Sequence, residues 1–304
     1  MLYFLLSVVF TVALYLIMRA YPRYRVQSFH AIVFNYYSCV ATGLLLSPDL
    51  GQYAKVEWTS MGTLLTLALG TMFVLAFVLI GQTTQKVSVT AASLAANMSL
   101  VIPVLFGLFV FKNANKVYTP WNYMGLILAL IALALGAIQK KTEDRSGFFE
   151  APLSRWVLLL PLLTFVATGT NNTLINFLSM SYYQPQEVTT FMVLSCIGAV
   201  LVGTFLLIIR ILYKKELVSS RSLLGGLILG VPNFLSFYFL LKALGTFGNS
   251  AAFVFPIYNI LTMMASAAAA WLLFREKLNT LNRLGLVLAV IAIILISYQE
   301  LGLH

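Results

Sequence analysis

Ten long apolar segments, separated by short polar connections, run along the whole chain. In order they are Leu2–Met18, Ala31–Leu46, Met61–Ile80, Val87–Phe111, Trp121–Ile138, Val157–Phe177, Val188–Leu212, Leu223–Leu241, Ala251–Phe274 and Leu281–Tyr298. A helix needs roughly 20 apolar residues to cross a bilayer. Only helices and closed barrels satisfy every backbone polar group in lipid, and these segments are long and do not alternate. The pattern therefore predicts an all-α integral membrane protein with ten transmembrane helices.

The composition excludes other protein classes. Of the 304 residues, 61% are hydrophobic and 9% are charged, and the mean hydropathy is +0.93. A soluble domain is about 45–50% apolar and about 25% charged. A soluble globular, a disordered and a fibrous protein are therefore excluded. Ten spans leave about 100 residues for connections and termini, so no room remains for a soluble catalytic domain.

Matching residues occur in the same order in the two halves of the sequence. The matched pairs are Ser38-Cys39 with Ser195-Cys196, Gly70 with Gly230, Ser88 with Ser250, Asn97 with Asn259, and Gly125 with Gly285. The offset drifts slowly between 157 and 162 positions. An ordered series of this kind indicates the duplication of a five-span unit.

Each half holds an odd number of spans, so the second half enters the membrane in the opposite orientation to the first. The expected architecture is ten transmembrane helices in two inverted five-helix repeats, which recurs in secondary transporters. Residues 1–140 form the first repeat, residues 141–156 a cytoplasmic linker, and residues 157–304 the second repeat.

The basic residues predict the orientation of the chain. Fifteen of the 19 Lys and Arg residues lie in connections that fall on one side of the membrane, and four lie on the other side. The positive-inside rule places the fifteen in the cytoplasm and both termini outside it, in a multi-pass protein of the inner (plasma) membrane. No dense basic cluster interleaved with aromatic residues occurs in the sequence, so the net charge of +10 does not indicate nucleic acid.

The sequence offers little for metal, cofactor or redox chemistry. Cys39 and Cys196 both lie inside apolar segments, and the chain has two histidines, of which His304 is the last residue. We therefore expect no disulfide, no metal site, no catalytic residue and no cofactor. His30, close to the start of the second span, is expected to reach the interface by snorkelling or to contact a substrate carboxylate.

Polar residues inside membrane spans are the candidates for a binding site, because they are costly in lipid. The nine acidic residues all fall in connections or at span ends, which disfavours exchange of a proton for a cationic drug. The polar side chains that remain inside the spans carry amide and hydroxyl groups. The candidate substrate-binding residues are Asn172 and Asn259, surrounded by Thr168, Asn171, Asn97 and Asn233, and the second span adds Asn35, Tyr36 and Ser38.

These side chains both donate and accept hydrogen bonds. Thr164, Thr168, Asn171 and Asn172 follow the i, i+4, i+7, i+8 spacing of one helical face in the sixth span. Such a lining suits a zwitterionic or polar neutral solute with an apolar portion, such as an amino acid. The alternative is that these residues bond neighbouring helices together, and the Gly226–Gly230 spacing is expected to be a close-packing surface of that kind.

Three motifs stand out: the small-residue stretches Ser88–Asn97 and Ser250–Pro256, and the stretch Trp271–Leu278, which is followed by Gly285. With the five-span halves, they resemble the drug/metabolite transporter superfamily, specifically its ten-span members with two EamA-like halves. The resemblance implies two five-helix halves and a transport function. It does not identify the substrate. In the first half, Lys112-Asn113-Ala114 stands where the family usually has an acidic residue.

The sequence thus predicts a secondary transporter that moves a small polar or zwitterionic metabolite by alternating access. It lacks the Gly-x-x-x-x-Gly-Lys-Ser/Thr nucleotide motif, so we do not expect it to use ATP. The expected partners are a small-molecule substrate and the lipid bilayer, with the protein a monomer or weak homodimer. The alternatives are a proton-coupled drug exporter, an intramembrane enzyme and a membrane interaction protein that transports nothing.

Overall fold

A computed structural model of the chain describes residues 2–47, 49–103, 119–137, 155–184, 187–246 and 251–299. These residues form ten helices of at least ten residues and no strand. The helices are α1 (Leu2–Ala20), α2 (Ser28–Leu46), α3 (Met61–Lys86), α4 (Val89–Met98), α5 (Pro120–Ala137), α6 (Arg155–Tyr182), α7 (Val188–Lys214), α8 (Ser220–Thr246), α9 (Ala251–Phe274) and α10 (Thr280–Ile296). Single helical turns, Tyr21–Tyr24 and Gly51–Ala54, lie in the first two connections.

The prediction of an all-helical chain is confirmed for the described residues, and their helices are compatible with a multi-pass membrane protein. Seven of the described helices are long and apolar enough to cross a membrane, and α4, α5 and α10 are shorter apolar helices. Each predicted segment falls on one of the ten helices, although the fourth segment is described only as far as Pro103. Most of the predicted linker, residues 141–154, and the motif Lys112-Asn113-Ala114 lie outside the described residues.

Hydrogen bonds between connections identify one end of the helical bundle, which we call the basic end. The Gln27 amide donates to Ser222 Oγ over 3.0 Å, and Ser28 Oγ donates to Gln85 Oε1 over 3.0 Å. The amide of Val89 donates to Glu276 Oε2 over 3.1 Å. The connections α1–α2, α3–α4, α7–α8 and α9–α10 therefore meet at the same end. These four connections carry most of the Lys and Arg residues of the described chain.

Two glycine contacts bring helix backbones close together. A side chain at Gly70 of α3 would collide with the backbone of Ala199 in α7, and one at Gly230 of α8 would collide with Asn35 of α2. Only glycine permits these approaches. Gly226 likewise lies against the carbonyl oxygen of Ala31, so the Gly226–Gly230 spacing is a close-packing surface, as the sequence predicts.

Helices α5 and α10 run antiparallel and are joined by matching asparagines. Asn122, at the start of α5, donates from Nδ2 to the carbonyl oxygen of Ile296 at the end of α10, over 2.9 Å. Asn282, at the start of α10, donates in the same way to the carbonyl oxygen of Gly136 at the end of α5, over 3.0 Å. We call this contact the α5–α10 seam. The other eight helices surround a central cavity.

Candidate functional site

A cavity of about 270 Å³ lies at the centre of the bundle. Side chains from α1 to α4 and from α6 to α9 line it. The six residues that the sequence predicts as the site, drawn from four different helices, all line this cavity: Asn97, Thr168, Asn171, Asn172, Asn233 and Asn259. The fold thus brings together polar groups that are more than 150 positions apart in the sequence.

The apolar part of the cavity wall is mostly aromatic. Eight rings line it, from Tyr15, Tyr36, Phe73, Phe77, Phe191, Phe234, Phe237 and Tyr258. Sequence analysis missed this wall apart from Tyr36, because an aromatic residue in an apolar segment is equally compatible with lipid contact and with burial. No spacing rule separates the two when the whole segment is apolar.

No charged side chain lines the cavity among the described residues. The described acidic residues all lie at or beyond the helix ends, as predicted: Asp49, Glu57, Glu187, Glu216 and Glu276. The other four, Glu143, Asp144, Glu150 and Glu300, lie outside the described residues. A solute with a net charge would therefore lose its hydration in the cavity without an opposite charge in the wall to compensate.

Asn97 of α4 and Asn259 of α9, which the sequence predicts to occupy equivalent positions in the two halves, line the same cavities. Asn97 and Asn259 are 6% and 7% exposed. Both line the central cavity, and both also line an adjacent crevice of about 10 Å³ that touches α10. Asn97 donates from Nδ2 to the Ser93 carbonyl oxygen of its own helix, over 2.6 Å. That bond leaves its side-chain oxygen as an acceptor at the cavity.

The three predicted residues of α6 differ in how far their bonding capacity is used. Thr168 donates to the Thr164 carbonyl oxygen one turn earlier, over 2.6 Å. Asn172 lines the cavity but is exposed, and it donates from Nδ2 to Ser99 Oγ over 3.3 Å. The side-chain oxygen of Asn171 is buried and has no hydrogen-bond partner in the described chain.

Asn233 joins the cavity to the α2–α8 contact. Its Nδ2 donates to Asn35 Oδ1 over 3.1 Å, and Cys39 Sγ donates to the same oxygen over 3.8 Å. The interior Pro232 does not interrupt α8, which is continuous from Ser220 to Thr246. Asn233 therefore has both a structural contact and a position in the cavity wall.

Two tyrosines of the wall have contrasting hydroxyl groups. The ring of Tyr36 stacks on Phe73, with 6.3 Å between centroids, and the residue is 1% exposed. Its hydroxyl has no hydrogen-bond partner among the described residues. The hydroxyl of Tyr258, in contrast, is hydrogen-bonded to Thr11 Oγ1 over 2.6 Å.

Two other sequence expectations change once the contacts are known. Thr164 shares the predicted polar face of the sixth span, but it is hydrogen-bonded to Thr83 Oγ1 over 2.7 Å and joins α6 to α3. His30 does not snorkel: it is completely buried, and its Nε2 lies 3.1 Å from Glu216 Oε2 beyond the end of α7. The imidazole therefore links the two halves at the basic end instead of reaching the interface.

Comparison with known proteins identifies a similar fold. No protein-family model matches the sequence. An uncharacterized protein from Haemophilus influenzae (strain ATCC 51907 / DSM 11121 / KW20 / Rd) is 24% identical over 279 residues, which covers 89% of this chain and 88% of that protein. A protein of known crystal structure, 15% identical, superposes with a TM-score of 0.53 over 100% of this chain and 97% of its own. The second match shows a similar fold alone.

Proposed function

We propose that this protein is a secondary transporter of the inner membrane, which moves a small polar or zwitterionic metabolite by alternating access. The observation that carries the proposal is the central cavity. It gathers six amide and hydroxyl side chains with eight aromatic rings, and no charged side chain of the described residues lines it. Resemblance of the sequence to ten-span drug/metabolite transporters supports the same function.

The proposal of alternating access depends on an inverted repeat. Contacts at equivalent positions of the two halves support such a repeat. Asn122 and Asn282 are 160 positions apart, as are the residues Gly136 and Ile296 that accept their hydrogen bonds. At opposite ends of the bundle, Tyr21 Oη donates to the Gly225 carbonyl oxygen over 3.0 Å and Tyr183 Oη donates to Thr66 Oγ1 over 2.9 Å. Two halves with interchangeable contacts can expose a central site to either side in turn.

The chemistry of the wall favours a substrate without net charge. Amide groups can accept from an ammonium group and donate to a carboxylate, and the aromatic rings suit an apolar portion. A zwitterion presents both charged groups while remaining neutral overall. A proton-coupled exporter of cationic drugs is the less supported alternative, because such exchange needs a carboxylate at the site.

We place the basic end in the cytoplasm and both termini outside it, because the positive-inside rule applies to connections as short as these. A fusion of alkaline phosphatase to the C-terminus is then active in cells. An inactive phosphatase fusion combined with a fluorescent C-terminal fusion of green fluorescent protein would reverse this orientation.

Counterflow in proteoliposomes tests the proposed function. Vesicles containing the purified protein and an excess of an unlabelled neutral amino acid are diluted into labelled alanine, threonine, leucine or phenylalanine, with lysine and glutamate as charged comparisons. We expect transient accumulation of at least one neutral amino acid and none of the charged ones. Accumulation no greater than in protein-free vesicles for every neutral compound contradicts the proposal, and exchange of cations alone favours the drug exporter.

A further inference from the structure

An apolar cluster, which we call the plug, lies between the cavity and the basic end. Its buried side chains come from α1, α3, α4 and α9: Met18, Ile80, Val89, Ala92 and Ala270. Met18 and Ile80 also line the cavity, so the plug begins at the cavity wall. Val89 and Ala270 lie one to four residues from the connections of the basic end. Solute passing through this end must therefore separate these helices.

Glu276 lies over this plug and holds α4 from the other half of the chain. Its Oε2 accepts from the Val89 amide over 3.1 Å, and its Oε1 accepts from the Thr90 amide over 3.3 Å. These amides belong to the first turn of α4, where the helix dipole favours a negative charge. A single carboxylate thus joins the connection after α9 to the start of the helix that carries Asn97.

Arg19 makes the complementary contact at the end of α3. Its Nη1 donates to the carbonyl oxygens of Thr84 over 2.7 Å and Gln85 over 2.6 Å. Arg19 also interacts electrostatically with Glu276. A cation at a helix C-terminus and an anion at a helix N-terminus both stabilise the helix ends that they touch. The two charges together connect α1, α3, α4 and the end of α9.

The repeat supplies no charged counterpart for this pair. The stretch from Ser99 to Tyr118, which follows α4 as Glu276 follows α9, contains no acidic residue. The connection from Ser179 to Glu187, which corresponds to the connection after α1, contains no Lys or Arg. The charged contact is therefore a feature that duplication of the two halves does not explain.

We propose that Glu276 and Arg19 form a latch that keeps the basic end closed, and that Glu276 releases the start of α4 when this end opens. The proposal rests on the proposed transport function and assigns Glu276 as a positioning residue, since it does not line the cavity. The unequal ends make the conformation with a closed basic end the resting state. A substrate therefore first meets the site from the opposite end.

Thiol labelling of the plug tests the latch without any substrate. The reporter is Ala270→Cys, and the reagent is a small charged methanethiosulfonate applied to the purified protein, with modification followed by peptide mass. Glu276→Gln keeps the shape and removes the charge, and we expect it to speed labelling of the reporter about tenfold or more, because a charge-assisted contact is lost. Glu187→Gln is the matched control, since Glu187 Oε2 accepts from a backbone amide of its own connection, that of Gln184, over 2.8 Å.

A second reporter separates opening of the latch from general loosening. Ala129 is completely buried and packs with residues of α10, so Ala129→Cys must be labelled at an unchanged slow rate in the Glu276→Gln protein. Equal acceleration of both reporters, or an unchanged rate at the plug, overturns the latch. If Glu276→Gln does not fold, Glu276→Asp decides, because the shorter side chain cannot reach both amides: faster labelling supports the latch and an unchanged rate contradicts it.

The same experiment distinguishes the latch from the transport function. If Glu276→Gln speeds labelling but the wild-type protein shows no counterflow, the transport function is rejected, and the latch still accounts for closure of the basic end. Counterflow by the wild-type protein together with unchanged labelling rejects the latch alone.

Discussion

The α5–α10 seam and the central cavity both contain buried asparagines, but they use them differently. In the seam, Asn122 donates to the Ile296 and Leu295 carbonyl oxygens and accepts from Thr119 through its Oδ1, at 2.9 Å from the amide nitrogen. In the cavity, Asn171 keeps an unpartnered oxygen within the described residues. Asn97 donates to the Ser93 carbonyl oxygen of its own helix.

The difference separates two roles that the same residue type plays in a membrane. Asn122 and Asn282 satisfy carbonyl groups at the end of the neighbouring helix, so their amides stabilise the contact between helices. The cavity asparagines have hydrogen-bonding capacity left over, and a buried group without a partner is costly unless something else binds it. Bonding between helices explains the seam, and we propose that recognition of a solute explains the cavity.

Asn122→Leu should have the largest effect on stability. The leucine removes two donor contacts and the acceptor for the Thr119 amide, and it leaves those backbone groups buried. At about 1 kcal/mol for each lost hydrogen bond, we expect about 2–3 kcal/mol less free energy of unfolding. Affinity for a transported amino acid should stay at the wild-type value.

Denaturation of the purified protein in detergent measures the first quantity and equilibrium binding the second. A lower affinity in Asn122→Leu with undiminished stability would mean that the seam also takes part in binding, and it would contradict the distinction between the two regions.

Removing the hydroxyl group should change the stability of the protein in opposite directions at Tyr36 and Tyr258. Tyr36→Phe removes a hydroxyl without a partner in the described chain, so the free energy of unfolding should rise by up to about 1 kcal/mol. Tyr258→Phe breaks the contact with Thr11 and should lower it by about 1 kcal/mol. Thermal melting of both variants beside the wild type checks the signs. Destabilisation by Tyr36→Phe would mean that its hydroxyl bonds to the protein after all.

Much of the fold could be predicted from the sequence, because the apolar segments identify the helices. The helix ends could not, since polar residues continue several helices past the apolar run. Helix α3 runs on from Ile80 to Lys86, where hydrogen bonds of Arg19 and Gln85 join its end to the end of α1. Hydropathy contains no signal for a turn of helix that is stabilised by such contacts.

The polar part of the cavity wall could also be predicted, because an amide in an apolar segment is costly and easily recognised. The sequence did not reveal which amides are fully bonded. Asn122 and Asn282 received no role in advance, and Thr164 was grouped with Thr168 although it bonds to Thr83. Partners on other helices decide these roles, and their identity depends on the three-dimensional arrangement.

The central claim is that the cavity asparagines bind the substrate. Asn172→Leu and Asn259→Leu test it most directly, with melting temperature and affinity measured on the same purified samples for the neutral amino acid that the wild type exchanges fastest. Loss of a hydrogen bond to a charged group is worth about 1.5–3 kcal/mol, so each variant should bind about tenfold to hundredfold more weakly. Its melting temperature should remain close to that of the wild type. Wild-type affinity in both variants, together with lower melting temperatures, would show that these residues bond helices together and would contradict the account.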